Sequence, residues 1–304
     1  MSRAGSGAEV DAPVSPAKPS LMPGLLIIAA AGLALRLWNI DLTAFNIDEA
    51  WLCIKSTRAA FFENMPLTGL RTSFGFHNPP LLVYLLAPAF RVSQGPVLAM
   101  GLLAVIGSCA SILAGLAAAD VASHCGQRDR QRAAALSVAL VVALCANALD
   151  HTRRLWGHDT ILFWSALALF GLARSAHERD WRWLALAALG AAGAQACHLS
   201  GALLWVLFAW AWRYHPRPPA RAALLAPAVL LVIYSPWMIY VATEDPGQLE
   251  LLNPLNEQTG STKGARPSPV PTPLAWALVL ADSGHNDHLG ATWPKEQPLV
   301  AAAW

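Results

Sequence analysis

The sequence contains few charged residues. Asp, Glu, Lys and Arg make up 13% of its 304 residues, whereas a soluble domain of this length carries about 25%. This shortfall argues against a soluble globular protein. The formal net charge is only +2, and no basic cluster with interleaved aromatic residues accompanies it, which argues against a nucleic-acid-binding protein.

Cysteine is also sparse and lacks a metal-binding pattern. The five cysteines contain no Cys-x-x-Cys pair and lie mostly inside apolar runs. This spacing is not typical of a zinc site or a disulfide framework, and it predicts free side chains that pack as small buried hydrophobes. A disulfide between Cys53 and Cys197 stays open as an alternative.

Apolar residues dominate instead, at 55% of the chain, and they form several runs of about 20 residues, the length of a transmembrane helix. We predict an all-α, polytopic membrane protein with about seven spans, two of them short. The predicted spans are residues 21–38, 97–120, 132–150, 159–175, 183–198, 199–213 and 221–241.

The composition divides the chain into three segments. Residues 1–20 are rich in Pro, Ala and Ser and are predicted to form a disordered cytoplasmic tail. Residues 21–245 form the membrane module, and residues 246–304 form a Pro-rich extracytoplasmic tail. We interpret residues 21–38 as a retained first span rather than a signal peptide, because "WNIDLTAF" offers no small-residue cleavage site.

Arginines in the short loops set the predicted orientation. With the N-terminus inside, each of three cytoplasmic loops contains an arginine triplet, as the positive-inside rule requires. The apolar stretch "PPLLVYLLAPAF" (79–90) is too short to span a membrane, and counting it as a span would place every triplet outside. We therefore predict an in-plane or re-entrant helix there. The triplets are Arg128, Arg130 and Arg132; Arg174, Arg179 and Arg182; and Arg213, Arg217 and Arg221.

This orientation places a long loop, residues 39–95, on the outer side, and the loop begins with an acidic pair. Read as a helix, residues 47–63 place apolar side chains on one face and Asp48, Lys55 and Ser56 on the other, with Glu49 near the edge. We predict an amphipathic helix lying in the interface. The alternative is that Asp48 and Glu49 only offset the dipole of a helix N-terminus.

A second outer loop, "HTRRLWGHDTILFW", also concentrates polar residues. Two arginines on the outer side oppose the inside bias, and an anionic partner such as a phosphate would explain them. Pairing with Asp150 and Asp159 is the alternative, and Asp159 could be a simple helix N-cap. The loop contains His151, Arg153, Arg154, His158 and Asp159.

Taken in order, four stretches resemble the membrane-embedded GT-C glycosyltransferases. They are "LRLWNID", then "DEA", "HNPPLLVYLL" and "RRLWGHDTILFW". The chain is most similar to family 39 and its relatives, the protein O-mannosyltransferases and the lipid A aminoarabinose transferases. The resemblance covers roughly residues 25–245. It implies inverting transfer of a sugar from a polyprenyl-phosphate donor to a hydroxyl on the extracytoplasmic side of the inner membrane, at the cell envelope.

The resemblance also implies roles for individual residues. Asp48 matches the acid that acts as general base, with Glu49 in support. Arg153, Arg154 and His198 would bind the donor phosphate, and His198 stands where the family usually has a lysine. The residues expected to shape the site are His77, His158 and Asp159. A divalent metal held by Asp48 and Asp159 stays open, because such acids can equally form a hydrogen-bonded network.

Two rival functions remain at this stage. The first is a non-catalytic or truncated GT-C module that binds a lipid-linked sugar or a partner protein, since family members continue with further spans where this chain becomes Pro-rich. The second is a small transporter. A transporter should carry ionisable residues near mid-span, whereas the acids here cluster at the predicted outer ends.

Overall fold

The computed structural model describes residues 20–42, 47–63, 65–72, 76–93, 95–156, 160–214 and 220–248. Within these ranges the chain is helical and contains no strand apart from an isolated bridge between Arg71 and His77. The all-α prediction is thereby confirmed. The helices are α1 (Met22–Leu37), α2 (Ile47–Ala60), α3 (Leu81–Val92), α4 (Pro96–His124), α5 (Gln131–Leu144), α6 (Ala146–His151), α7 (Ile161–Glu178), α8 (Arg182–Cys197), α9 (Leu203–Tyr214) and α10 (Ala220–Thr243).

The helices lie close to the segments predicted from apolar runs, with one difference. The predicted span 132–150 is divided into α5 and α6 at Cys145, which has an extended ψ of 123°. The stretch predicted at 79–90 is the 12-residue helix α3. By length and composition, α4 alone among the described helices is long and apolar enough to cross a membrane unaided.

Local signals explain several helix boundaries. Proline stands in the first turn of α1 and of α4, where its missing N–H costs nothing and its fixed φ suits the helix. After α4, Gly126 adopts a φ of +75°, a conformation that glycine reaches without steric cost. Arg179 ends α7 in the same left-handed region, with a φ of 56°.

Helices α7 and α8 pack closely through small residues. A Cβ added to Gly171 would lie 2.6 Å from the Ala187 nitrogen, and one added to Gly190 would meet the Ala168 backbone. Close backbone approach at Gly and Ala is typical of helix pairs in membranes. At one end of this pair, Arg174 forms an ion pair with Asp120 of α4 at 3.0 Å.

The opposite end of the bundle is the site end. We define it by the C-terminal ends of α1, α8 and α10, by α2 and α3, and by the segment 150–156. The main buried cluster lies between α2, α3 and α4, with Leu52, Leu86 and Leu103 at or near zero exposure. This packing fixes α2 and α3 against the end of the long helix α4.

The outside of the bundle carries many exposed apolar side chains. On α1, α5, α9 and α10 they include Ile27, Val141, Val206 and Val232, which are 67–74% exposed. The cysteines depart from the prediction of burial, because Cys109, Cys125 and Cys145 are exposed and only Cys197 is fully buried. None of the five forms a disulfide, which excludes the Cys53–Cys197 bridge in this structure.

Candidate functional site

Helix α2 turns the two adjacent acids in different directions. Asp48 is exposed, whereas Glu49 is buried at 1% exposure on the face that also carries Leu52 and Ser56. The exposed Ile47 and Trp51 form the outward apolar face. The predicted exposure of Asp48 is confirmed, whereas the prediction that Glu49 lies near the edge of the polar face is wrong, because its side chain is buried. The prediction that Ser56 lies on the polar surface is wrong, because it is fully buried.

The electrostatics of Asp48 suit a proton acceptor. Partial desolvation raises the pKa of its carboxyl above the usual range. Its side chain nevertheless stays accessible at the start of α2. A carboxylate that is more basic than usual and open to the solvent can take a proton from an approaching hydroxyl.

Arg153 joins the segment 150–156 to the chain that leaves α1. Its Nη2 donates to the Trp38 carbonyl at 2.5 Å and to the Asn39 carbonyl at 3.0 Å. Asn39 has a φ of 50°, so the chain turns sharply there as it leaves α1. This contact places the segment 150–156 at the same end of the bundle as the entry to α2, as the sequence-based hypothesis of a shared site requires.

Arg154 has a carboxylate partner in this structure. Its Nη2 lies 3.3 Å from Asp150 Oδ1, which is the pairing that the sequence left open as an alternative. Among the described residues, the Nε groups of Arg153 and Arg154 are buried and have no hydrogen-bond partner. His158 and Asp159 lie outside the described residues.

Arg36 is the structural centre beneath this loop, and sequence reasoning missed it. It is fully buried, and its Nε donates to Thr152 Oγ1 at 2.7 Å. Its Nη1 donates to the Gly32 and Ala143 carbonyls at 3.0 Å, and its Nη2 reaches the Val142 carbonyl at 3.4 Å. A lone arginine inside the apolar run "LALRLW" was the available signal, since an uncompensated cation there needs several acceptors.

Lys55 holds the loop between α2 and α3 in place. Its Nζ donates to the Thr68 carbonyl and hydroxyl at 3.2 and 3.1 Å and to the Gly69 carbonyl at 2.6 Å. These three acceptors match the three protons of an ammonium group. Burial lowers the pKa of Lys55. Lys55 is thus a structural cation and not a free phosphate ligand.

His77 lies where this loop meets the end of α10. Its backbone N–H donates to Gln248 Oε1 at 2.9 Å, and its ring meets Tyr240 edge-on at 5.6 Å. Gln248 in turn donates to Asp245 Oδ2 at 2.7 Å. Burial, followed by the nearby cation Lys55, lowers the pKa of His77, so its ring is neutral near pH 7. The geometry is compatible with a site-shaping role.

His198 caps a turn rather than presenting a cation. Its Nδ1 accepts from the Ser200 N–H at 3.2 Å and lies 2.8 Å from Ser200 Oγ. A ring nitrogen that accepts a backbone N–H is unprotonated, so the imidazole is neutral in this arrangement. In this arrangement His198 cannot supply the charge of a lysine.

The metal hypothesis is not decided by the described side chains. They contain no group of three or more His, Cys, Asp or Glu arranged to hold an ion. Asp159, one of the two proposed ligands, lies outside the described ranges. Its proposed partner Asp48 is exposed on α2.

Comparison of the chain with protein-family models, curated proteins and solved structures finds no match.

Proposed function

We propose that this protein is a polytopic membrane glycosyltransferase that uses a polyprenyl-phosphate sugar. The observation that carries the proposal is the Arg153 contact with the Trp38 and Asn39 carbonyls. It brings an arginine pair and the exposed acid Asp48 to one end of the bundle. A proton acceptor and cations for a leaving phosphate are what such a transfer needs.

Three features support the membrane placement. Helix α4 is long and apolar enough to cross a bilayer. The outward faces of α1, α5, α9 and α10 expose large apolar side chains, and exposed apolar surface of this kind marks membrane or protein contact sites. Helices α7 and α8 pack through Gly171 and Gly190, as membrane helices do.

The proposed reaction is a single inverting displacement. The acceptor hydroxyl oxygen attacks the anomeric carbon, and its proton passes to the Asp48 carboxylate. The bond between the anomeric carbon and the phosphate oxygen breaks, and the electron pair leaves with the polyprenyl phosphate. The guanidinium groups of Arg153 and Arg154 stabilise the charge that develops on this leaving group.

The function is tested by incubating membranes that contain the full chain with radiolabelled polyprenyl-phosphate sugars and measuring label transfer. Transfer by wild type and its loss in Asp48→Asn support the enzyme.

A second candidate is a module that binds the lipid-linked sugar without turnover, and the neutral capping geometry of His198 favours it. Saturable donor binding with no transfer from any donor would select that candidate.

The topology gives a first prediction: α3 does not cross the membrane. Its 12 residues span about 18 Å, at roughly 1.5 Å per residue, which is shorter than a hydrocarbon core of about 30 Å. Single cysteines placed at Arg128 and at Arg217 in a background without native cysteines should resist an impermeant thiol reagent in intact cells. They should react once the membrane is opened.

A cysteine at the exposed Arg71 of the outer loop serves as the control and should react from outside in intact cells. Labelling at Arg128 or Arg217 before permeabilisation would mean that a further crossing precedes α4.

A second prediction concerns the arginine pair. Replacing Arg153 and Arg154 together with glutamine should weaken donor binding at least about tenfold, because a hydrogen bond to a charged group contributes about 1.5–3 kcal/mol. Equilibrium binding of a labelled donor to purified protein measures this effect. Asp150→Asn should not weaken binding, since it removes the carboxylate that competes for Arg154.

Arg182→Gln, at an exposed position on the opposite end of the bundle, is the matched control and should bind donor as wild type does. An unchanged dissociation constant in the double variant would exclude both arginines as phosphate ligands.

A further inference from the structure

A shallow apolar groove runs between the C-terminal half of α2 and helix α3. We call it the α2–α3 groove, and its volume is about 300 Å³, at the low end of small-molecule sites. It plays no part in the reaction proposed above. The lining residues are Ala59, Ala60, Phe62, Met65, Tyr84, Ala87, Pro88 and Arg91.

The surroundings of the groove are apolar and exposed. Phe62 is 80% exposed, Met65 46% and Val92 81%. The Tyr84 hydroxyl is occupied, because it donates to the Pro66 carbonyl at 2.7 Å. The tyrosine ring is therefore left as part of an apolar wall. Water is a poor solvent for such a surface, whereas a hydrocarbon chain would cover it.

One cation stands at the rim. The Arg91 guanidinium lies 4.8 Å above the centroid of the Phe61 ring, which positions it by a cation–π contact. Among the described residues that line the groove none is acidic, so an anionic group is the complement of this rim. Arginine binds phosphate oxygens with paired donors.

The groove is too far from Asp48 to hold a reacting phosphate. Asp48 stands in the first turn of α2 and Ala60 ends the helix. The two positions are separated by about 18 Å along the axis, at roughly 1.5 Å per residue. A phosphate held by Arg91 is therefore distinct from the leaving phosphate of a transfer reaction at Asp48.

We propose that the α2–α3 groove binds an anionic phospholipid, with one acyl chain along the apolar lining and the phosphate at Arg91. Such a lipid anchors the two non-spanning helices in the membrane interface. The proposal rests on the membrane placement in the proposed function and is independent of sugar transfer.

The test uses the full chain in phosphatidylcholine nanodiscs that contain a trace of phosphatidylglycerol with a photoreactive group in one acyl chain. After irradiation, mass spectrometry should locate the label in peptides from α2 and α3. A phosphatidylcholine probe with the same photoreactive chain should label these peptides about fivefold less, because its choline cation cancels the net charge that attracts an arginine to an anionic lipid, although its phosphate is kept.

Two variants distinguish binding of the acyl chain from binding of the lipid headgroup. Ala87→Phe fills the groove and should reduce labelling by both probes. Arg91→Gln, at an exposed position, should abolish the preference for phosphatidylglycerol while acyl labelling persists. Ala176→Phe and Arg182→Gln, exposed at the opposite end of the bundle, are the matched controls and should label as wild type.

Equal labelling by the two probes in wild type would overturn the proposal, as would undiminished labelling in a helical, monodisperse Ala87→Phe variant. If Ala87→Phe does not fold, the Arg91→Gln variant alone tests the proposal. A preference for phosphatidylglycerol that persists in Arg91→Gln would contradict it. Displacement of the probe by polyprenyl phosphate at a lower concentration than by unlabelled phosphatidylglycerol would assign the groove to the carrier lipid instead. These readouts are independent of whether any sugar is transferred.

Discussion

Asparagine in place of Asp48 is expected to lower turnover about 10²–10⁴-fold, the usual contribution of a general base. The amide keeps the size of the side chain and its position on the exposed face of α2, but it cannot accept the proton of the attacking hydroxyl. Donor affinity should stay close to wild type, because the proposed phosphate ligands, Arg153 and Arg154, are unchanged. Single-turnover transfer and equilibrium donor binding measure the two quantities separately.

Glu49→Gln is the matched control for this prediction. Glu49 is adjacent in sequence but buried, so it faces the packed interior and not the open side where an acceptor would approach. It should therefore lose less turnover than Asp48→Asn. A larger loss in Glu49→Gln, with turnover kept in Asp48→Asn, would transfer the role of base to the buried acid.

The pH profile gives an independent check on Asp48. A base must be deprotonated to act, so kcat/KM should fall as the pH drops through the pKa of the free enzyme's base. Because desolvation raises the pKa of Asp48, this acid limb should lie above the ordinary aspartate value of about 3.9. Asp48→Asn should lack the limb in whatever activity remains.

Helix positions could be predicted from the sequence because they depend on local patterns. Apolar runs of span length placed α1, α4 and α10 within a few residues of their observed bounds. The 12 residues of α3 likewise follow from a short apolar run behind a Pro-Pro pair. These signals lie within the sequence of each helix, so the helix can be predicted without knowledge of its neighbours.

The division between α5 and α6 could not be predicted in this way. The sequence "VALCANALD" contains no Pro or Gly at the break. In a continuous helix, the carbonyls of Val142 and Ala143 would accept from the N–H groups of Ala146 and Asn147. Here Arg36 donates to both carbonyls instead. The break is thus made by a residue about 106 positions away, and no local pattern reports it.

The faces of α2 show the same limit. Periodicity correctly predicted an exposed Asp48, because one apolar face and one polar face separate clearly at the start of the helix. It failed at Ser56, which is fully buried, because α3 and the loop held by Lys55 cover a side of α2 that its own sequence marks as polar. Covering by a neighbouring element is a tertiary effect that a single-helix pattern does not contain.

Arg36→Gln is expected to reduce the free energy of unfolding by about 3 kcal/mol or more. Glutamine cannot reach the set of acceptors that the guanidinium serves, so the Ala143 and Val142 carbonyls at the end of α5 and the Thr152 hydroxyl lose their charged donor. Hydrogen bonds to charged groups contribute about 1.5–3 kcal/mol each, and buried acceptors left without a partner add to the loss. Denaturant unfolding in detergent, followed by circular dichroism, measures the change.

Three further variants show whether the loss arises from this network. Arg36→Lys keeps the charge but has a single donor atom for acceptors that lie around the guanidinium. Its free energy of unfolding should therefore lie between those of wild type and Arg36→Gln. Gly107→Ala would bring a Cβ to within 2.8 Å of the Thr152 Cβ and should destabilise the same contact from the side of α4. Arg182→Gln, which replaces an exposed arginine, should leave the free energy of unfolding unchanged. If Arg36→Gln is as stable as Arg182→Gln, the carbonyls are satisfied without Arg36. The segment 150–156 must then be held by other contacts, of which the Arg153 bond to the Trp38 carbonyl is the first to test.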